Sequence, residues 1–275
     1  MRKNLTPYGL TAKRRVRVST RFSATSPRRA ALVAGLAYVL IIVLALFANF
    51  FVLERLTVPE DPAATASNIA NSQLLFRGAV ATFVIVLIAD VVVAWGLYVL
   101  FRSTSREFAL FAAWFRLVYV AISAAALLNL LIAAKLVDDS GYPTAIEAGQ
   151  RNAQVMLSLD AYTYGWSIGL VWFGVHLLLL GVVIVKSVHA PSVLGVLVAV
   201  AGLAYALGKL ASVVFPDYND VLLLFIAVLA VPGEFALTGW LLWKGGKGLP
   251  TLARQDEPVQ AGVAAFFADA RGRPG

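Results

Sequence analysis

Six blocks of about 20 or more mainly apolar residues divide this chain, separated by charged or proline-bearing stretches. A block of that length crosses a hydrocarbon layer as an α-helix, because lipid offers no partner to a backbone N–H or C=O left unbonded. The blocks lie near Ala31–Leu53, Val80–Phe101, Phe108–Ala134, Tyr162–Val185, Ser192–Phe215 and Val221–Trp243. The expected fold is therefore all-α: a polytopic membrane protein with six transmembrane helices. Hydrophobic residues make up 60% of the chain, well above the ~45–50% of soluble domains. They come in long runs without amphipathic spacing, which is the transmembrane pattern. Pro191 suits the first turn of the fifth span, Pro216 ends it, and Trp240 with Trp243 is expected to anchor the sixth at an interface.

The net charge of +8 would point to nucleic acid in a soluble protein. Here the excess sits in the N-terminal stretch and the short turns, so it reads as topology, with no nucleic-acid partner. Arg2, Lys3, Lys13, Arg14, Arg15, Arg17, Arg21, Arg28 and Arg29 precede the first span with no acidic residue among them. Arg102, Arg106, Lys186, His189, Lys244 and Lys247 follow the even-numbered spans. Glu54, Glu60, Asp61, Asp138, Asp139, Glu147, Asp217 and Asp220 follow the odd-numbered ones. The positive-inside rule then places both termini in the cytoplasm of a multi-pass inner (plasma) membrane protein. The expected division is a disordered basic tail over 1–29, a six-helix domain over 30–246 and a flexible tail over 247–275. The basic stretch lacks the cleavage site of a signal peptide. It serves as a topology determinant and is suited to anionic lipid heads. Phe266 and Phe267 lie in an Ala-rich stretch that could form a short surface helix.

Asp90, Arg116, His176 and Glu234 interrupt otherwise apolar spans. A charge at the bilayer centre costs about 2.5–3.5 kcal/mol even on a lenient insertion scale, so each is a functional-site hypothesis by default. A helix converts residue count into depth at ~1.5 Å per residue. Counted from the cytoplasmic ends of their spans, Asp90 lies roughly 16 Å in, Arg116 roughly 12 Å, and His176 and Glu234 roughly 14 Å. All four thus approach the midplane of a ~30 Å layer.

Small and polar neighbours mark the faces that pack against protein. Arg116 shares a face with Ala112, Tyr119 and Ser123, and Glu234 with Ala227, Ala230 and Thr238. The fifth span carries Gly195, Ala199, Gly202 and Ala206, continuing to Lys209. Lys209, Asn49 and Asn129 form a shallower outer polar layer. Asp90 and Arg116 sit on consecutive antiparallel helices and are expected to pair, either as a functional centre or only to fix helix register. His176 is either titratable or a polar residue bonded to a neighbouring helix. Glu234 follows Pro232 and Gly233 in mid-span, where proline removes a backbone hydrogen bond and predicts a kink beside the carboxylate. Such breaks line transporter sites.

Several chemistries drop out. The absence of cysteine removes disulfides, iron–sulfur clusters and thiolate sites. Bis-histidine haem fails within one chain, because His189 lies about 20 Å along the same helix from His176. Zinc on His176, Asp90 and Glu234 is a plausible ligand set without paired spacing. Lys209 is shallow, and six spans fall short of the seven of a retinal protein. No phosphate loop, nucleophile elbow or HExxH is present. No cofactor or metal is expected.

The two long outer connections echo each other. Val58-Pro59-Glu60-Asp61-Pro62 leads into Ser72–Arg77, and Tyr142-Pro143-Thr144-Ala145-Ile146 leads into Gln154–Leu157. Each is expected to hold an amphipathic helix at the outer surface. Each then precedes a span, a basic turn and a second span, as a duplicated unit would.

The order and spacing of several short stretches carry a resemblance. They are Ala34-Gly35-Leu36-Ala37-Tyr38, Phe76-Arg77-Gly78, Ala113-Trp114-Phe115-Arg116-Leu117, Phe173 through Gly181, Pro191-Ser192-Val193-Leu194-Gly195 and Gly233-Glu234. From about Pro27 to Gly246 the chain resembles the bacterial membrane family known only as domain of unknown function 4386. The resemblance implies an integral membrane protein and assigns no activity. Arg116, His176 and Glu234 fall within the resembling stretches, and Asp90 sits where the family looks to have an acidic residue.

The leading expectation is a non-enzymatic protein whose mid-membrane site binds or passes a small solute, lipid head or proton. The first alternative is a structural or assembly subunit; the second is a membrane-embedded lipid-acting or metal-dependent enzyme. The expected partners are the lipid bilayer and a small solute or lipid, and oligomeric state is not written in the sequence.

Overall fold

The computed structural model describes residues 26–138 and 146–247. Expectations for the basic stretch up to residue 25, for 139–145 and for 248–275, including Phe266 and Phe267, lie outside the described residues. Among the described residues every regular element is helical: α1 (Pro27–Leu56), α2 (Pro62–Asn71), α3 (Gln73–Phe101), α4 (Arg106–Leu136), α5 (Ala148–Val185), α6 (Ser192–Val214) and α7 (Asn219–Lys247). All but α2 belong to the six segments long and apolar enough to cross a membrane.

Local chemistry sets the ends. Ser26 caps α1 by accepting the Arg29 N–H, with Pro27 in the first turn where its missing donor costs nothing. Asp61 caps α2 in the same way, taking Ala64 N–H at 2.9 Å ahead of Pro62. The helix of α1 widens to π geometry over Phe47–Leu53, where Asn49 Nδ2 donates to Ala45 O at 2.9 Å. The second connection differs from its expected twin. Among the described residues no separate surface helix forms there: α5 begins at Ala148 and runs unbroken for 38 residues into its span. Pro143 lies before that start, and nothing between Asn152 and Tyr162 interrupts a helix.

The spans close into a ring in chain order. Each packs on the next (α1 on α3, then α4, α5, α6 and α7), and α7 returns to α1. Glycine allows the tightest seam, between α5 and α6. A Cβ on Gly202 would come within 2.5 Å of Leu178 N and 2.6 Å of Gly174 O, and one on Gly195 within 2.6 Å of Val185 N. The small-residue stripe of α6 is thus a backbone-to-backbone contact. Arg28 closes the ring by donating to the last carbonyls of α7, Gly245 O at 3.0 Å and Gly246 O at 2.9 Å. A cation suits that negative helix end.

Both ends of the ring interior are obstructed. α2 packs against α5, which is not a ring neighbour of α1 or α3, so it crosses the end away from the termini. At the terminal end Leu97, Phe101, Leu237, Trp240 and Leu241 are buried. Phe101 stacks on Trp240 at 6.0 Å between centroids. Trp240 is therefore a core residue, not the interface anchor its position proposed; Trp243 is half exposed beside Lys244 and Lys247.

Candidate functional site

The interior between those obstructions is polar. Arg116 projects from α4 with Ala112, Tyr119 and Ser123, all four buried. Its Nε and Nη2 donate to Asp90 Oδ1 on α3 at 3.0 and 2.5 Å. Its Nη1 donates to Tyr38 Oη of α1 at 2.7 Å. Its guanidinium also lies against the Tyr38 and Phe173 rings at 4.8 and 5.2 Å. The ion pair is 1–2% exposed, so its attraction is little screened. Among the described residues Asp90 Oδ2 has no hydrogen-bond partner. The Tyr119 phenol approaches that carboxylate without reaching hydrogen-bond geometry.

His176 of α5 completes the set from behind. Its Nδ1 lies 2.7 Å from Ala112 O, which can only accept, and its Nε2 lies 3.1 Å from Arg116 Nη1, which can only donate. The partners therefore fix the tautomer: Nδ1 carries the proton, Nε2 accepts, and the ring is neutral. A histidine so engaged serves as a fixed acceptor for Arg116, not as the free titratable group considered from sequence.

A cavity of about 320 Å³ opens in front of the pair. Tyr38, Asp90, Arg116, Tyr119, Tyr205 and Glu234 line its polar part. Glu234, partly exposed on α7, accepts from Tyr205 Oη through Oε2 at 3.2 Å. So three of the four mid-span ionisable residues meet at one cavity, and His176 stands outside its wall. α7 passes through Pro232 unbroken. Gly233 serves close approach, since a Cβ there would lie 2.7 Å from Leu197 O of α6. That contact sets Glu234 beside Tyr205. Of its expected face, Ala230 and Thr238 are buried and Ala227 is exposed.

The shallower residues do not form a network. Asn49 borders the cavity but bonds within α1. Asn129 Nδ2 donates to Ala126 O of its own helix at 3.2 Å. Lys209 is buried to 9% exposure and enters none of the ion pairs among the described residues. Nor do the acids and His176 assemble as metal ligands: among the described residues no group of three His, Asp or Glu side chains could hold an ion. Both His176 nitrogens are already engaged.

Tyr38 and Tyr205 were not proposed as site residues from sequence, although their hydroxyls bond Arg116 and Glu234. Their signal is position. A tyrosine in mid-span, away from the interfacial belts it favours, needs a buried partner for its hydroxyl.

Residues 33–245 match the family described as "Domain of unknown function (DUF4386)". A similar protein from Archaeoglobus fulgidus, named "Uncharacterized protein", is 29% identical over 163 residues, covering 59% of this chain and 81% of that one. A chain of this kind thus occurs in an archaeon. No solved structure matches.

Proposed function

The chain belongs to the DUF4386 family, and from the geometry of its centre we propose that it is a small-molecule binding or transport protein of the membrane interior. The observation that carries this reading is the division of labour around the cavity. Asp90, Arg116, His176 and Tyr38 bond to one another and form a fixed wall. Glu234 borders the same space with one tyrosine as its hydrogen-bond partner. A purely structural ion pair has no need of a cavity or of a second carboxylate at the same depth.

The basic residues Arg28, Arg102, Arg106, Lys186 and Lys244 gather at the end that bears both helix termini, and acidic residues dominate the opposite end. On the positive-inside rule the termini are cytoplasmic in a plasma membrane. The cavity then occupies the outer half of the ring, between the level of Arg116 and that of Asn49. In this reading α2 is an outer-surface helix, with Thr65, Ala66 and Ile69 turned inward.

The cysteine-free chain makes the test direct. Ala45 borders the cavity, whereas Val43 on the same helix is 58% exposed on the lipid side. N-ethylmaleimide reacts with a hydrated thiolate, so in proteoliposomes Ala45→Cys is expected to label at least about tenfold faster than Val43→Cys. Equal, slow labelling of both would mean a dry core and overturn the binding reading.

A further inference from the structure

We propose that the cavity takes a small lipophilic organic cation, a protonated amine on an apolar or aromatic body, which enters sideways from the bilayer between α1 and α7. The ligand class rests on the binding reading above; the entry route rests on packing alone.

The route follows from where the ring is closed. α2 crosses one end, and buried apolar side chains around Phe101 and Trp240 fill the other. The named contacts between α1 and α7 all lie near the terminal end: Arg28 on Gly245, Leu32 on Gly245 and Gly35 on Leu242. Further along, the cavity borders both helices, with Ile42 and Leu46 of α1 and Val231 and Phe235 of α7 in its lining. The cavity-lining residues that are exposed are Leu46 of α1 at 47%, and Val231 and Phe235 of α7 at 43 and 56%. The mouth is thus an apolar slot between the first and last spans. A strongly hydrated ion would lose its water shell there with nothing to replace it. An amphipathic molecule already dissolved in lipid would not.

The floor selects charge. Asp90, Arg116 and Glu234 are the charged residues lining the cavity. Arg116 spends its donors on Asp90, Tyr38 and His176, so it has little to offer an anion. The carboxylates keep open lone pairs: among the described residues Asp90 Oδ2 accepts no hydrogen bond, and Glu234 accepts the Tyr205 hydroxyl through Oε2. With Asp90 and Arg116 cancelling, Glu234 is the lining acid that enters no ion pair among the described residues. The rings of Tyr119, Trp166, Phe173 and Tyr205 border the cavity, and aromatic rings attract a cation through their quadrupoles. Open carboxylate oxygens inside an aromatic box fit an ammonium group. The volume of about 320 Å³ sits at the small end of the ~300–1,000 Å³ of ligand pockets.

The probe is radiolabelled 2-phenylethylamine on the full chain in phosphatidylcholine nanodiscs, competed by two isosteres, neutral 2-phenylethanol and anionic phenylacetate. The amine is expected to bind at least about tenfold tighter than either, and Glu234→Gln to remove most of that preference. Alkylating Leu46→Cys with a bulky maleimide is expected to slow association at least about fivefold. The same adduct at Leu74→Cys, exposed and away from the slot, leaves the rate unchanged. If the alcohol competes as well as the amine, or Glu234→Gln leaves the preference intact, the cation assignment is wrong. If the Leu46 adduct leaves association unchanged, lateral entry is wrong. Rapid labelling of Ala45→Cys alongside either failure would leave the open cavity standing, so the two readings fail separately.

Discussion

Replacing Arg116 by leucine asks whether the centre is one ion pair or a shared network. The guanidinium reaches Asp90 Oδ1 at 3.0 and 2.5 Å, Tyr38 Oη at 2.7 Å and His176 Nε2 at 3.1 Å. Removing it strands a buried carboxylate, which costs about 3–5 kcal/mol. It also strands the His176 acceptor, since that ring cannot turn without losing Ala112 O, and a buried unsatisfied polar group adds about 1–3 kcal/mol. Arg116→Leu should therefore cost about 4–8 kcal/mol. Asp90→Leu leaves Arg116 with Tyr38 and His176 and should stay near 3–5 kcal/mol, as a rough figure. The double variant buries no lone charge, so it should be less damaging than Arg116→Leu alone, at about 1–3 kcal/mol. Helices unfolded within a bilayer also find polar partners, which pulls measured values toward the low ends. Steric-trap unfolding in bicelles on the four proteins completes the cycle. If the single costs add to the double cost within about 0.5 kcal/mol, the pair is uncoupled and the reasoning fails.

Two further outcomes follow from the packing. Nitrogen-15 NMR of labelled His176 at neutral pH should show a neutral ring protonated at Nδ1; a signal from the Nε2–H tautomer or from imidazolium would contradict the hydrogen-bond assignment. Gly202→Ala should destabilise by about 1–3 kcal/mol or more, because its Cβ meets α5 backbone. Gly78→Ala, with nothing within 4 Å, should be neutral or stabilising by up to ~1 kcal/mol; equal effects in the same unfolding assay would remove the close-contact argument.

How much of this could be read in advance depends on whether the information is local. Depth is local, because a helix turns residue number into distance, and the three acids and bases of the cavity share a level for that reason. The inward face of Arg116 is local too: Ala112, Tyr119 and Ser123 are all buried. Ala227 departs from its face, being exposed where Ala230 and Thr238 are buried. The role of His176 is set by Ala112 O, a backbone atom that no residue type announces. Trp240 has the composition of an interfacial anchor, yet ring closure turns it onto Phe101. The second surface helix disappeared because no residue between Asn152 and Tyr162 forces a break. Tyr38 and Tyr205 matter through partners 78 and 29 residues away, and such pairings exist only once the ring is assembled.

The order of the spans has a consequence for how the charges reach the bilayer during synthesis. Asp90 and Arg116 lie on α3 and α4, joined by the turn at 102–105, so they leave the ribosome as halves of one hairpin. Each can enter lipid beside its counter-ion, avoiding most of the penalty of a lone charge. His176 arrives on the next helix to meet a guanidinium already placed. Glu234 comes last, on the helix that Arg28 must then secure to the first one made. The seam that forms at the end of translation is the one that frames the slot, and the nascent protein would keep its centre exposed to lipid until α7 has been delivered.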